Sequence, residues 1–139
     1  MKYVDSNIFI YPVVAEHSDA KAHGASEILI DIAEGRIDAF TSCLTWDEVV
    51  WNVRKYLGRE AAVKEGRNLL EFPNLKMVAA TNNVLNTAQE LMEKHGLKPR
   101  DAIHMATCIE HGAKELISDD SDFDVVKPIK RIPPSGRKS

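Results

Sequence analysis

Short apolar segments alternate with longer amphipathic ones along this chain, and that alternation limits the folds it can adopt. The apolar segments predict strands over 2–5, 38–42, 75–79 and 115–118. Between them, apolar residues recur at helical spacing, which predicts helices over 20–34, 45–57, 59–70, 83–95 and 100–111. Strands that alternate with helices predict an α/β domain built on a parallel sheet.

The length fits one such domain. A chain of 139 residues can bury a single core, and 44% hydrophobic with 28% charged residues is a globular composition. We assign residues 1–132 to the domain and expect the basic segment 133–139 to be a disordered tail. The apolar stretch 8–15 is too short for a signal peptide or a membrane span, so we expect no membrane association.

The two cysteines, Cys43 and Cys108, lie in apolar segments without a CxxC partner or a histidine at zinc-site spacing. We therefore expect buried free thiols rather than a disulfide. Free thiols fit a reducing compartment, which predicts a cytoplasmic location.

Acidic residues stand where the predicted strands end or the neighbouring helices begin. They are Asp5, Glu48, Asp101, Asp120 and Asp122. Because the carboxyl ends of parallel strands share one edge of the sheet, we expect these five carboxylates to lie close together there and to repel each other. We call this acidic edge the rim. Mg²⁺ or Mn²⁺, which prefer oxygen ligands, would offset that repulsion and could promote attack of water on a phosphodiester.

Each acid also has a purely structural explanation. Thr45 and Glu48 match a capping box, and capping alone is an equal alternative for Glu48. Asp101 would complement a helix dipole, and the acids of 119–124 could form a solvated turn. Asp5 has the weakest alternative, because a carboxylate at the end of an apolar strand is costly without a partner.

Other polar and aromatic residues near these acids are less specific signals. Asn7 could orient Asp5 or simply form a turn. His104, one helical turn after Asp101, could approach the rim, but we expect it to pack on the core. Trp46 and Trp51 are interpreted as core or interface residues.

The net charge of −3 argues mildly against a nucleic-acid ligand, but the charges are unevenly distributed. All charged residues after Asp124 are basic, and the segment 54–67 contains five basic residues and two acidic ones. Arg54 and Lys55 of this segment, and Arg100 next to Asp101, are candidates for contacts with a nucleic-acid backbone.

Four segments together resemble the signature segments of the PIN-domain family, in the same order. They are VDSNIFIY at 4–11, TSCLTWDEVVW at 41–51, LKPRDAIHMATCIEHG at 97–112 and LISDDSDFD at 116–124. The similarity is greatest to the short VapC-type toxins of toxin–antitoxin pairs. It implies a three-layer PIN-like fold with four or five parallel strands flanked by helices, and an endoribonuclease that depends on Mg²⁺ or Mn²⁺.

The resemblance also implies roles by position. The four catalytic acids would be Asp5, Glu48, Asp101 and Asp120, all of them metal ligands, with Asp122 as a further one. Asp119, Asp120 and Asp122 all remain open for the fourth place. Asn7 and Ser118 would support the site. A homodimer and a small antitoxin that reaches into the acidic pocket are the implied partners, besides the RNA substrate.

Three other functions are alternatives. A phosphatase of the haloacid-dehalogenase type also starts with a strand-end Asp, but it needs Asp-x-Asp, and Asn7 cannot donate the proton. A receiver domain would need a phosphate-binding lysine that we do not find. A non-catalytic module of the same fold could hold RNA or a partner, although pure binding gains nothing from repelling carboxylates.

Overall fold

Strands and helices alternate along the computed structural model, which describes residues 1–16 and 19–134. Its strands are β1 Lys2–Val4, β2 Ala39–Ser42, β3 Leu75–Val78, β4 Glu115–Ile117 and β5 Lys130–Ile132. Its helices are α1 Ser6–Val14, α2 Ala20–Ala33, α3 Cys43–Leu57, α4 Arg59–Leu70, α5 Asn82–His95 and α6 Pro99–Glu110, with a 3-10 helix at Ser121–Val125. Residues 135–139, most of the expected tail, lie outside the described part, whereas Pro134 is buried.

The five strands form one sheet in the order β3-β2-β1-β4-β5, and every pair is parallel. This confirms the predicted parallel α/β sheet of four or five strands. The chain builds outward from β1 to β3 and then crosses to β4 on the other side. The strand order therefore reverses between β1 and β4. In sheets of this kind, ligands commonly bind beyond the carboxyl ends of the strands at such a reversal.

The core has two halves, one on each face of the sheet. Tyr3, Phe40 and Leu116 point to the half that includes residues of α5 and α6. Val4 and Ile117 point to the opposite half, formed with α1 to α4. Neighbouring strand residues face opposite sides because side chains alternate along a strand, so the domain has three layers.

Most element boundaries fall within two residues of the predicted ones. Helix α4 spans the predicted 59–70, and α5 ends at the predicted His95. Gly96 caps α5, and its left-handed backbone (φ 69°) suits glycine. Strand β5 is not among the strands predicted from the sequence. Its three residues, KRI, include two charges, a composition that suits a sheet edge rather than a buried strand.

The predicted capping box is wrong. Helix α3 begins at Cys43, and its N-cap is Ser42, whose side chain accepts a hydrogen bond of 3.0 Å from the Leu44 N–H. Thr45 is already helical, and its hydroxyl pairs with that of Thr41 at 2.6 Å. Glu48 therefore lies in the second turn of α3 and plays no part in capping.

Three apolar positions are more exposed than expected. Cys108 is a buried free thiol as predicted, but Cys43, at the start of α3, is free and exposed. Trp46 and Trp51 are 40% and 62% exposed, so neither is a core residue. Among the described helices, none combines the length and the apolar character that crossing a bilayer requires.

Candidate active site

Asp5 stands at the centre of the rim, directly after β1. The residue is 4% exposed, and its side chain caps α1, with Oδ1 accepting the Ser6 N–H at 2.8 Å. Oδ2 accepts the Ser118 hydroxyl at 2.6 Å and the Asn7 amide at 3.2 Å. The structure thus brings both predicted supporting residues to Asp5, and their hydrogen bonds fix the orientation of this buried carboxylate.

A second group of carboxylates lies at the same rim. One oxygen each from Asp101, Asp120 and Asp122 falls within 4.8 Å of the others. Asp101 is in the first turn of α6, and Asp120 caps the 3-10 helix by accepting the Asp122 N–H at 2.9 Å. The Asp120 N–H donates to the Ser118 hydroxyl at 3.0 Å, which links this group to Asp5.

The carboxyl groups oppose each other's ionisation. Burial, the charges of Asp120 and Asp5, and a hydrogen bond with Asp120 together raise the pKa of Asp101 to about 7. Burial also raises the pKa of Asp5, although His104 and the Ser118 hydroxyl partly counter it. A divalent cation among these groups would favour their ionised forms and offset the repulsion.

Glu48 reaches the rim from α3 and meets a residue that we expected to find in the core. Its carboxylate is hydrogen bonded to Nε2 of His104, and the same Nε2 lies 3.4 Å from Asp5 Oδ1. His104 is 1% exposed, as expected for a core residue, but it also contacts two of the predicted acids. Its position three residues after Asp101 was the available signal, because that spacing places both on one helix face.

Tyr3 is a site neighbour that the sequence analysis missed. Its hydroxyl lies 2.5 Å from Nδ1 of His104 and accepts the Ser42 N–H at 3.2 Å. Burial raises the pKa of Tyr3, so the phenol keeps its proton. A tyrosine within an apolar strand has the pattern of an ordinary core residue, and no sequence signal distinguishes it.

A comparison with models of protein families identifies the domain that carries these carboxylates. A sequence model described as the PIN domain matches residues 2–128. The chain belongs to the PIN-domain family. No curated protein matches it in a sequence search.

Solved structures show the same fold as this PIN domain. A toxin–antitoxin complex from Klebsiella pneumoniae is 24% identical (TM-score 0.69), with 96% of this chain and 98% of that one aligned. VapC20 of Mycobacterium tuberculosis, described as a toxin that cleaves the sarcin–ricin loop, is 18% identical (TM-score 0.74; 90% and 94% covered). FitAcB from Neisseria gonorrhoeae is 16% identical (TM-score 0.72; 99% and 100% covered).

The three carboxylates that were candidates for a fourth site acid do not face the same part of the molecule. Asp119 accepts the Tyr11 hydroxyl at 2.8 Å and lies 3.1 Å from the Lys21 ammonium, so it faces α1 and α2. Asp120 and Asp122 instead face Asp101. The geometry therefore favours Asp120 and Asp122 over Asp119.

The predicted basic residues of the PIN domain lie in two places. Arg100 is exposed and directly precedes Asp101 at the start of α6. Arg54 and Lys55 are exposed in the last turn of α3. Since Arg54 comes six residues after Glu48, it is about 9 Å further along the helix axis. Arg100 is thus the better placed of the three to hold a phosphate at the rim.

Proposed function

We propose that this protein is an endoribonuclease that depends on Mg²⁺ or Mn²⁺ and acts as the toxin of a VapBC-type toxin–antitoxin pair. The observation that carries the proposal is the convergence of Asp101, Asp120 and Asp122 beside the buried Asp5. These acids come from different elements of the fold. A bound divalent cation would offset their mutual repulsion.

The donor set fits a hard divalent cation. Asp101, Asp120 and Asp122 offer only carboxylate oxygens, the ligands that Mg²⁺ and Mn²⁺ prefer. Asp5 and Glu48 are further ligands in this proposal, directly or through water. When bound, the ion would make water more acidic and stabilise negative charge on the phosphate.

The chain's own residues supply position and charge. Ser118 and Asn7 keep Asp5 in one orientation, so the rim is organised before a substrate arrives. Arg100 would hold an RNA phosphate beside the acids. RNA as the substrate is supported by the similarity in fold to VapC20, which is described as a toxin that cleaves the sarcin–ricin loop.

A protein partner is supported by the surface of α3 and α4. A groove of about 330 Å³ between these helices is lined by Trp46, Val50, Val63 and Leu70, and three of these side chains are at least 40% exposed. Exposed apolar surface of this kind is typical of protein interfaces. We propose an antitoxin and a second copy of the chain as partners, and a cytoplasmic location, where RNA is accessible.

The test is cleavage of labelled RNA by the purified protein with Mg²⁺ or Mn²⁺, with EDTA, and with Asp5→Asn. We expect EDTA to abolish cleavage. Asp5→Asn should slow it about 100-fold or more, the scale of losing one transition-state-stabilising group. The matched control is Asp47→Asn, which removes an exposed carboxylate next to Glu48 and should cleave like the wild type.

Other outcomes would favour the alternatives. Cleavage that survives EDTA or Asp5→Asn would contradict the roles proposed for the acids. Tight RNA binding without cleavage or metal dependence would favour a non-catalytic module. A phosphorylated Asp5 trapped from a phosphate monoester would favour the phosphatase.

A further inference from the structure

Every polar atom of the His104 side chain has a partner at the rim or directly beneath it. Nε2 is hydrogen bonded to Glu48 and lies 3.4 Å from Asp5 Oδ1. Nδ1 is 2.5 Å from the Tyr3 hydroxyl, and the two rings pack with centroids 5.7 Å apart. A buried imidazole costs free energy without such partners, and an apolar residue would fill the same volume without that cost.

The hydrogen on Nε2 is set by its neighbours. Ionised carboxylates can only accept hydrogen bonds, so Nε2 donates to Glu48 whether the ring is neutral or charged. Tyr3 holds the other nitrogen and is itself held by the Ser42 N–H at 3.2 Å. The ring therefore has one orientation, with its Nε2–H directed at the two acids.

These contacts connect three elements into a closed path. Ser42 caps α3 and binds Tyr3 of β1, Tyr3 binds His104 of α6, and His104 returns to Glu48 of α3. The two acids that His104 contacts, Asp5 and Glu48, are held by different numbers of hydrogen bonds. Asp5 has Ser6, Ser118 and Asn7 as further donors, whereas among the described residues the Glu48 carboxylate has no other hydrogen bond or ion pair than that with His104.

We propose that His104, held by Tyr3, is a positioning residue that places the Glu48 carboxylate beside Asp5 and so strengthens divalent-cation binding at the rim. This inference rests on the proposed function, because it assumes that the rim binds such an ion. His104 itself is not a ligand in this proposal. Its effect is therefore on affinity, through the geometry of Glu48 and Asp5.

The experiment measures Mn²⁺ binding to the full chain by isothermal titration calorimetry. We expect His104→Leu, which removes the donor, to raise the Mn²⁺ Kd about 10- to 100-fold, as loss of groups behind metal ligands commonly does. His104→Gln, whose amide can donate from nearly the same place, should remain within about threefold of wild type. Tyr3→Phe, which frees Nδ1, should weaken binding less than His104→Leu.

A matched control separates positioning from folding. Met105→Leu changes a buried residue of the same helix within the apolar core and should lower Tm without changing the Mn²⁺ Kd. An unchanged or tighter Kd in His104→Leu would overturn the inference while leaving the proposed function intact. If His104→Leu does not fold, an unchanged Kd in Tyr3→Phe would overturn it equally. If the wild type binds no Mn²⁺, the proposed function fails and the inference with it.

Discussion

The carboxyl group of Asp101 shows how strongly the ionisation of one residue depends on its neighbours. An aspartate in an unfolded chain has a pKa of about 3.9. Burial and the nearby Asp120 and Asp5 raise the pKa of Asp101 to about 7 in the folded protein. The folded state therefore binds more protons than the unfolded state between these two values.

This difference predicts the pH dependence of stability with EDTA present. The Asp101 contribution is fully present below about pH 4 and is lost as pH rises to about 7, because the folded state then keeps an unfavourable charge. Asp5, whose pKa is also raised, acts in the same direction. We expect the free energy of unfolding to fall from pH 5 to pH 8, and to fall less in Asp101→Asn.

Urea unfolding at pH 5, 6, 7 and 8 measures this effect. Asp38→Asn, an exposed residue, is the control and should follow the wild-type profile. Parallel profiles for wild type and Asp101→Asn would show that the folded protein does not shift the pKa of Asp101.

The location of Asp5, Asp101, Asp120 and Asp122 at the rim could be predicted from the sequence, because each follows a predicted strand or begins a predicted helix. The rim follows from the rule for parallel sheets, which needs only the position of each acid along its element. The contacts of Tyr3 and His104 could not be predicted in the same way. A buried polar pair and an ordinary core position have the same sequence pattern, and only the packing of β1 against α6 distinguishes them.

At the scale of elements, strand β5 contacts the segment 118–124, which carries the acids Asp120 and Asp122. Arg131 of β5 donates from Nε to Asp124 at 2.8 Å and from Nη1 to the Ser118 carbonyl at 3.2 Å. These contacts fix both ends of 118–124, between which Asp120 and Asp122 lie. Strand β5 therefore helps to hold Asp120 and Asp122 in place, although it contributes no acid to the rim itself.

We therefore expect Arg131→Met to weaken Mn²⁺ binding and RNA cleavage several-fold. The free energy of unfolding should change by only about 1 kcal/mol or less, because Asp124 is exposed and such pairs contribute little. Calorimetry and urea unfolding measure the two effects. Lys130→Met, the exposed neighbour on the same strand, should change neither. Full metal affinity in Arg131→Met would show that 118–124 holds its shape unaided.

Elements with strong periodicity were predictable, and short or polar ones were not. Helix α4 carries its apolar residues at regular helical spacing, whereas β5 has only three residues, two of them charged. The start of α3 was misplaced because both Ser42 and Thr45 can cap a helix. The pairing of Thr45 with Thr41, a contact between a strand and a helix, helps to fix the actual start.

At the scale of the molecule, charge is divided between an acidic rim and scattered basic residues. A net charge of −3 gives little general attraction to RNA, so individual cations matter. Arg100 adjoins the rim, whereas Arg54 lies at the far end of α3. The fold thus separates residues that composition alone would treat alike.

We expect Arg100→Gln to weaken RNA binding. The logarithm of the RNA binding constant should also fall less steeply with the logarithm of the salt concentration, by about one unit of slope. Arg54→Gln, which removes the same charge elsewhere, should have a smaller effect. Fluorescence anisotropy with labelled RNA, in an Asp5→Asn background to prevent cleavage, measures both. A larger effect of Arg54→Gln would mean that RNA runs along α3 rather than across the start of α6.

The central place of β1 in the sheet has a consequence during translation. The ribosome adds the Ser118 donor of Asp5 and the companion acids Asp120 and Asp122 more than a hundred residues after Asp5 itself. A nascent chain that stops before β4 lacks one of the two strands that flank β1, and it also lacks Asp120 and Asp122. Incomplete translation products therefore lack the assembled rim, and under the proposed function they would not cleave RNA.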